Sequence, residues 1–313
     1  MTLSTMTPST ITLDNALQRI AIIHQQHSLK CYLSLYELQE HFSWPEKDWR
    51  QVVSIIDIEE PLFLEKTLGQ DTNINVVVRR RHWILKHGLY PYAYFIMQQW
   101  IEEEGFQAVF HYYLTECVKN NLYLSHHLSI LLSFNQAHSL VNNPQQTYRF
   151  TERFCEFVTS TFYGNNQQQY SLSPSFIPLL NAEGYPELDT VLNACLTQPG
   201  FWGHNLITLS WVIKNKAVLT ETQYHQCLLN LYNQCHWVFT EDCDAPNITT
   251  LNKMDLSDGK RTPLEYACRQ LLLKQKNNLH QITLTAAIVY LFTHLKLSPS
   301  NERRLLSITH HFS

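Results

Sequence analysis

At 313 residues the chain has room for two domains, or for one domain joined to a repeat array, and its 44% hydrophobic content excludes a disordered protein. A formal net charge of -4 excludes a global pull toward nucleic acid or anionic membrane. Only 8 glycines stand against phosphate-cradling loops and doubly wound α/β folds, which use glycine freely, so helix-rich packing is the expected class.

The segment Met1 to Ile11 is polar and rich in Ser and Thr, without the basic start and apolar run of a secretory signal. No apolar run reaches bilayer length, so the expectation is a cytoplasmic protein with no membrane contact. The 8 cysteines are scattered without a CxxC pair, which reads as reduced, buried thiols. Thr12 or Asp14 can cap a first helix. Ser34-Leu-Tyr-Glu37 has capping-box spacing and predicts a short helix over Leu35 to Phe42. After the turn at Ser43-Trp-Pro-Glu46, a helix carries Trp49, Val52, Val53 and Ile56 on one stripe. Pro61 to Glu65 and Ile74 to Arg79 read as two strands. The order helix, helix, turn, helix, β-hairpin resembles a winged helix-turn-helix, which assigns residues 12–87 to such a domain behind a polar tail at 1–11.

Residues 88–199 read as an α-helical domain, with helices over Tyr90 to Glu104, Phe106 to Asn121, Leu122 to Val141, Thr147 to Tyr163 and Pro186 to Leu196. Pro199-Gly-Phe-Trp-Gly203 is a sharp break. Helices then follow over Gly203 to Val212, Thr222 to Trp237, Thr262 to Lys274 and Ile282 to Leu297. In Asp255-Leu-Ser-Asp-Gly-Lys-Arg-Thr-Pro-Leu-Glu-Tyr-Ala267, Thr262 can cap a helix and Pro263 fits its first turn. Leu264 and Ala267 then share a face. This Gly, Thr-Pro-Leu and Ala order resembles an ankyrin repeat, and residues 200–313 resemble divergent ankyrin-like hairpins. Glu265 stands where that family usually has His. The expected fold class is mainly α: a winged-helix-like unit followed by a helical array.

The resemblance implies a non-enzymatic adaptor or regulator that binds another protein. A Gln-, Asn- and His-rich style fits a bacterial effector. The candidate partner site is the acidic connector with Asp242, Asp244, Asp255 and Asp258, which suits a partner with a basic surface. An aromatic cluster of Tyr90, Tyr92 and Trp100 is the other anchor. The alternative is a transcription regulator that touches DNA through Arg79, Arg80, Arg81 and Lys86, although the acidic helix from Glu46 to Ile58 opposes insertion between phosphates.

Cofactor and metal expectations are both none. His225, Cys227, Cys235, His236 and Cys243 crowd one region, but Cys227 and Cys235 lie over two turns apart on a predicted helix. His126-His127 and His310-His311 are pairs without a third partner, and neighbours on a helix point apart. His204 and His280 could face a common cavity as acid and base, which gives a third reading, a helical enzyme.

Overall fold

The computed structural model describes residues 11–19, 27–63, 78–122, 125–163, 170–239, 245–249, 262–274 and 278–313. Among these residues the chain is mainly helical. In order the helices are α1 (Leu13–Leu17), α2 (Ser28–His41), α3 (Glu46–Glu59), α4 (Arg81–Lys86), α5 (Tyr92–Glu104), α6 (Phe106–Lys119) and α7 (His126–His138). There follow α8 (Pro144–Phe162), α9 (Leu188–Thr197), α10 (His204–Lys214), α11 (Glu221–Gln234), α12 (Pro263–Leu273), α13 (His280–His294) and α14 (Pro299–Phe312). None of them is long and apolar enough to cross a membrane.

Four helices form the centre. α2 packs on α7, α7 on α10, α10 on α13, and α13 back on α2, which closes a ring. Glu37, His41, Asn135, His138, Lys214, Tyr290 and His294 border one cavity, so the four C-termini lie at the same end. The four therefore run parallel. Their first two turns are buried almost continuously: Ser28 to Leu35, His126 to Phe134, His204 to Val212 and His280 to Val289. A helix apolar on all sides is what a ring surrounded by other helices requires. The outer layer supplies that cover in unbroken sequence, from α3 through α12, α14, α9, α11, α6, α5 and α8 to α1.

The chain builds this ring as helical triplets. Each inner helix is preceded by an outer helix that packs on it (α1, α6, α9 and α12). Another helix then follows it (α3, α8, α11 and α14). Several outer helices start on a capping side chain: Thr12 accepts from the Asn15 amide at 3.1 Å, Asn143 from Gln146 at 2.9 Å, Thr262 from Glu265 at 3.2 Å and Ser298 from Asn301 at 3.2 Å. Proline occupies the first turn of α8, α12 and α14. Thr220 and Gln223 form a reciprocal capping box on α11.

Several expectations are corrected. Ser34 opens no helix, because α2 starts at Ser28 and Ser34 is buried within it. Residues Val78 to Arg80 form a 3-10 turn that leads into α4, where a strand end is expected. Leu62 makes only an isolated bridge with Arg19, and residues 64–77, which carry the rest of the expected hairpin, lie outside the described set. The expected boundaries also cut across the core: α2 comes from the first segment, α7 from the second, and α10 and α13 from the third, and all four share one apolar cluster. Thr262 does begin a helix, and Ala267 is buried on α12, which packs against α13 and α14.

Candidate metal centre

Each inner helix begins with histidine. His126, His204 and His280 are the first residues of α7, α10 and α13, and His27 is the residue before α2. Parallel helices put these starts at one end of the ring, and all four rings are buried there. Around the ring the centroid separations are 5.2 Å for His27 and His126, 4.2 Å for His126 and His204, 4.4 Å for His204 and His280, and 5.0 Å for His280 and His27. The diagonal from His126 to His280 is 5.7 Å.

A shared local pattern aims these rings. In three triplets the residue after the histidine reaches back to the last carbonyls of the preceding outer helix. His127 Nε2 lies 3.2 Å from the Cys117 carbonyl and 3.0 Å from that of Asn120. Asn205 Nδ2 donates to Gln198 O at 2.8 Å. Gln281 Nε2 donates to the carbonyls of Leu271 and of Lys274, the latter at 3.1 Å. The next residue is apolar and buried in every case: Leu29, Leu128, Leu206 and Ile282. The polar residue ties the linker, the apolar one anchors the helix, and the histidine is left facing the axis. In the first triplet Glu60 does the tying from α3, accepting from the amides of His27 at 2.6 Å and Ser28 at 2.8 Å.

Two of these starts hold strained backbone. Ser125, with φ 49°, precedes His126, and Trp202, with φ 48°, lies two residues before His204. Non-glycine residues in the left-handed region cost free energy and collect at functional sites. Gly203 has φ 72°, and an added Cβ would lie 2.4 Å from Leu284 Cδ1, so only glycine fits there.

The hydrogen bonds decide which ring nitrogen is free. His280 Nδ1 lies 2.7 Å from Asn278 Oδ1, His204 Nδ1 meets the Phe201 carbonyl, and His27 Nδ1 lies 3.6 Å from Glu60 Oε1. A carbonyl oxygen only accepts, so Nδ1 of His204 and His280 carries the proton and Nε2 keeps a lone pair. His280 Nε2 is buried with no hydrogen-bond partner among the described residues. His204 Nε2 and His126 Nε2 face each other in contact. One ring nitrogen from each of His27, His126 and His280 lies within 4.8 Å of the other two. Either the N–H of one neutral imidazole or a cation satisfies the facing nitrogens of His126 and His204. Imidazoles bound tetrahedrally at about 2.0–2.1 Å would have centroids roughly 5 Å apart, close to the separations here.

Burial favours the neutral form of His126, His204 and His280. Burial holds His126 and His280 well below the usual histidine range, and the neighbouring imidazoles add to the shift. Burial likewise holds His204 low, helped by the Lys30 charge. Burial raises the Glu60 carboxyl, but hydrogen bonds and charge from His27 outweigh it and leave it lowered overall. Lys30, one turn into α2, is fully buried, and desolvation brings it down to about 8.

The residues expected to act lie elsewhere. Arg81 is buried between Glu103 and Glu104, at 2.7 Å from each, with its guanidinium 4.7 Å over Trp100, so it cannot reach a phosphate. Arg79, Arg80 and Lys86 are exposed. Trp100 is 3% exposed and is core, not a partner anchor, whereas Tyr90 and Tyr92 are exposed at 43% and 50%. Asp242, Asp244, Asp255 and Asp258 lie outside the described residues. The Cys and His residues that crowd one stretch of sequence have separate surroundings, as their spacing suggests: His225 pairs with Glu221 at 3.4 Å, Cys235 lies 3.7 Å from Cys195, His236 stacks on Phe176 at 4.1 Å, and Cys243 lies outside the described residues. His204 and His280 lie side by side with ring centroids 4.4 Å apart, together with His126 and His27, which sequence reading did not join to them. His126 and His127 do point apart, but His126 has the partners it was expected to lack.

Comparison with family models, with characterised proteins and with solved structures finds no match for this chain.

Proposed function

We propose that this protein is a metalloprotein that holds one divalent transition ion at the axis of its inner ring. The ion is bound by the Nε2 atoms of His27, His126, His204 and His280. One observation carries the reading: the Nδ1 atoms of His204 and His280 are committed to oxygen acceptors, so their Nε2 lone pairs point inward, where His280 Nε2 has no partner among the described residues. Metal-bound histidines are typically oriented this way, with the far nitrogen held by a carbonyl or carboxylate. Imidazole ligands suit zinc, copper, iron and nickel rather than magnesium or calcium. His204 and His280 then serve as ligands instead of an acid and base pair.

The test is a competition titration of zinc against a chromophoric chelator. We expect one equivalent bound by the wild type and at least a hundredfold weaker binding in His280→Ala and His126→Ala. His225→Ala is the control, since His225 lies on α11 and pairs with Glu221. It should retain the wild-type stoichiometry. A protein that binds no zinc, cobalt, nickel, copper or iron would end the proposal.

A second reading keeps the adaptor role expected from sequence. It is favoured by the exposure of Trp83, Tyr90 and Tyr92, at 53%, 43% and 50%, around the start of α5. Aromatic side chains dominate protein-binding hot spots. Tyr92→Ala should then weaken recovery of a protein partner without moving the melting temperature, and unchanged recovery would remove this face.

A further inference from the structure

The charge balance of the centre is incomplete. Imidazole ligands add no negative charge to a divalent ion. Lys30 lies on α2 one turn from His27, is 0% exposed, and its Nζ has no hydrogen-bond partner among the described residues. Residues three apart share a helix face, so Lys30 lies on the side of α2 that carries His27. Four parallel helices also turn their N-termini toward this end, each adding partial positive charge. Against this stands one buried carboxylate, Glu60, which accepts from the amides of His27 and Ser28 and whose charge also acts on Lys30. Asp57, the other nearby carboxylate, pairs with Arg19 at 2.6 Å and is largely exposed.

We infer that the centre takes a small oxyanion of the carboxylate or bicarbonate class, held between the ion and the Lys30 ammonium. The inference rests on the metal reading above. The ion accepts one oxygen as an additional ligand, and Lys30 Nζ donates to the other. This gives the buried amine its missing acceptor and brings negative charge to a site that has an excess of positive charge. A buried ammonium left without an acceptor is strongly unfavourable, which is why such groups are normally paired. Zinc-class ions accommodate the step, since four-coordinate sites expand to five. Small size follows from the burial of every group around the axis. Ser129 and Thr283, three residues beyond His126 and His280, are buried and donate to the carbonyls of those histidines.

The experiment uses full-length protein loaded with Co(II), whose visible bands report the number and type of ligands. Formate is the probe. Wild-type protein should show a saturable change in the cobalt bands as formate is added. Lys30→Met should keep one cobalt per chain and bind formate at least tenfold more weakly, and Lys30→Arg should recover most of the affinity. If Lys30→Met does not fold, the wild-type titration and Lys30→Arg decide the matter. Cobalt bands that ignore formate in a fully loaded protein would overturn the anion site and leave the metal reading standing. Equal formate affinity in Lys30→Met and wild type would remove Lys30 from it. Absence of bound cobalt would sink both.

Discussion

At His280, Asn278 accepts from both the backbone amide, at 2.9 Å, and ring Nδ1, at 2.7 Å, so one short side chain fixes the ring and its tautomer together. The same residue explains why acid should unfold the metal-free protein. Burial lowers the affinity of His126, His204 and His280 for protons, and His127 falls to about 4. In the unfolded chain a histidine titrates near pH 6.5. Below that pH the unfolded state takes up protons that the native state refuses. Each such proton removes about 1.4 kcal/mol of stability per pH unit, until the folded group itself titrates. We therefore expect the denaturant midpoint of the metal-free protein to fall between pH 7 and pH 5, and a flat midpoint over that interval would contradict neutral buried imidazoles. Individual residue types gave no hint of this. Among 16 histidines, His27 and His126 look ordinary, and adjacency within His126-His127 says only that the two point apart.

The signal lies in the element. His27-Ser-Leu29, His126-His-Leu128, His204-Asn-Leu206 and His280-Gln-Ile282 are one three-residue pattern at the start of four apolar helices. Its first position supplies a ring for the axis, its second a polar group for the preceding helix end, and its third an apolar anchor for the core. The pattern was legible but was hidden by the long, unequal stretches between its copies, since α4 and α5 intervene only between the first and second. Helix existence was easier to read, because a cap such as Thr262 and the stops at Gly105 and Pro199 act locally, although sequence reading misses the Asn143 cap and starts α8 at Thr147 instead of Pro144. The ring was not, because closure of α13 on α2 depends on contacts between the two ends of the chain. Two substitutions test the element. Gln281→Ala strips the buried carbonyl of Leu271 and the half-buried one of Lys274 of their donor and should destabilise by about 1–3 kcal/mol in a denaturant melt. Gly203→Ala must displace Leu284 and hold a positive φ, so it should lower both stability and metal affinity. Wild-type behaviour of Gly203→Ala would show that the α10 start is looser than its contacts imply.

For the whole molecule the arrangement has two ends. At one, four helix starts bring imidazoles to the axis. At the other, Glu37, His41, His138, Lys214 and His294 border an open cavity of about 740 Å³, where basic side chains sit at helix C-termini, as the helix dipole favours. Between them the inner helices are rigid, buried rods, so the position of the four rings depends on the closure of the ring as a whole. Holding an ion should in turn tighten the closure, since a ligand bound only by the native state stabilises it by mass action. Melting temperature should rise with added zinc in the wild type and stay constant in His280→Ala. The most direct test of the central claim is X-ray absorption at the metal edge of the purified, zinc-loaded protein. Our account predicts a first shell dominated by imidazole nitrogen at about 2.0–2.1 Å, with the outer-shell scattering of intact histidine rings, and loss of one ring in His204→Ala. A first shell of sulfur, or of oxygen without imidazole scattering, would contradict it.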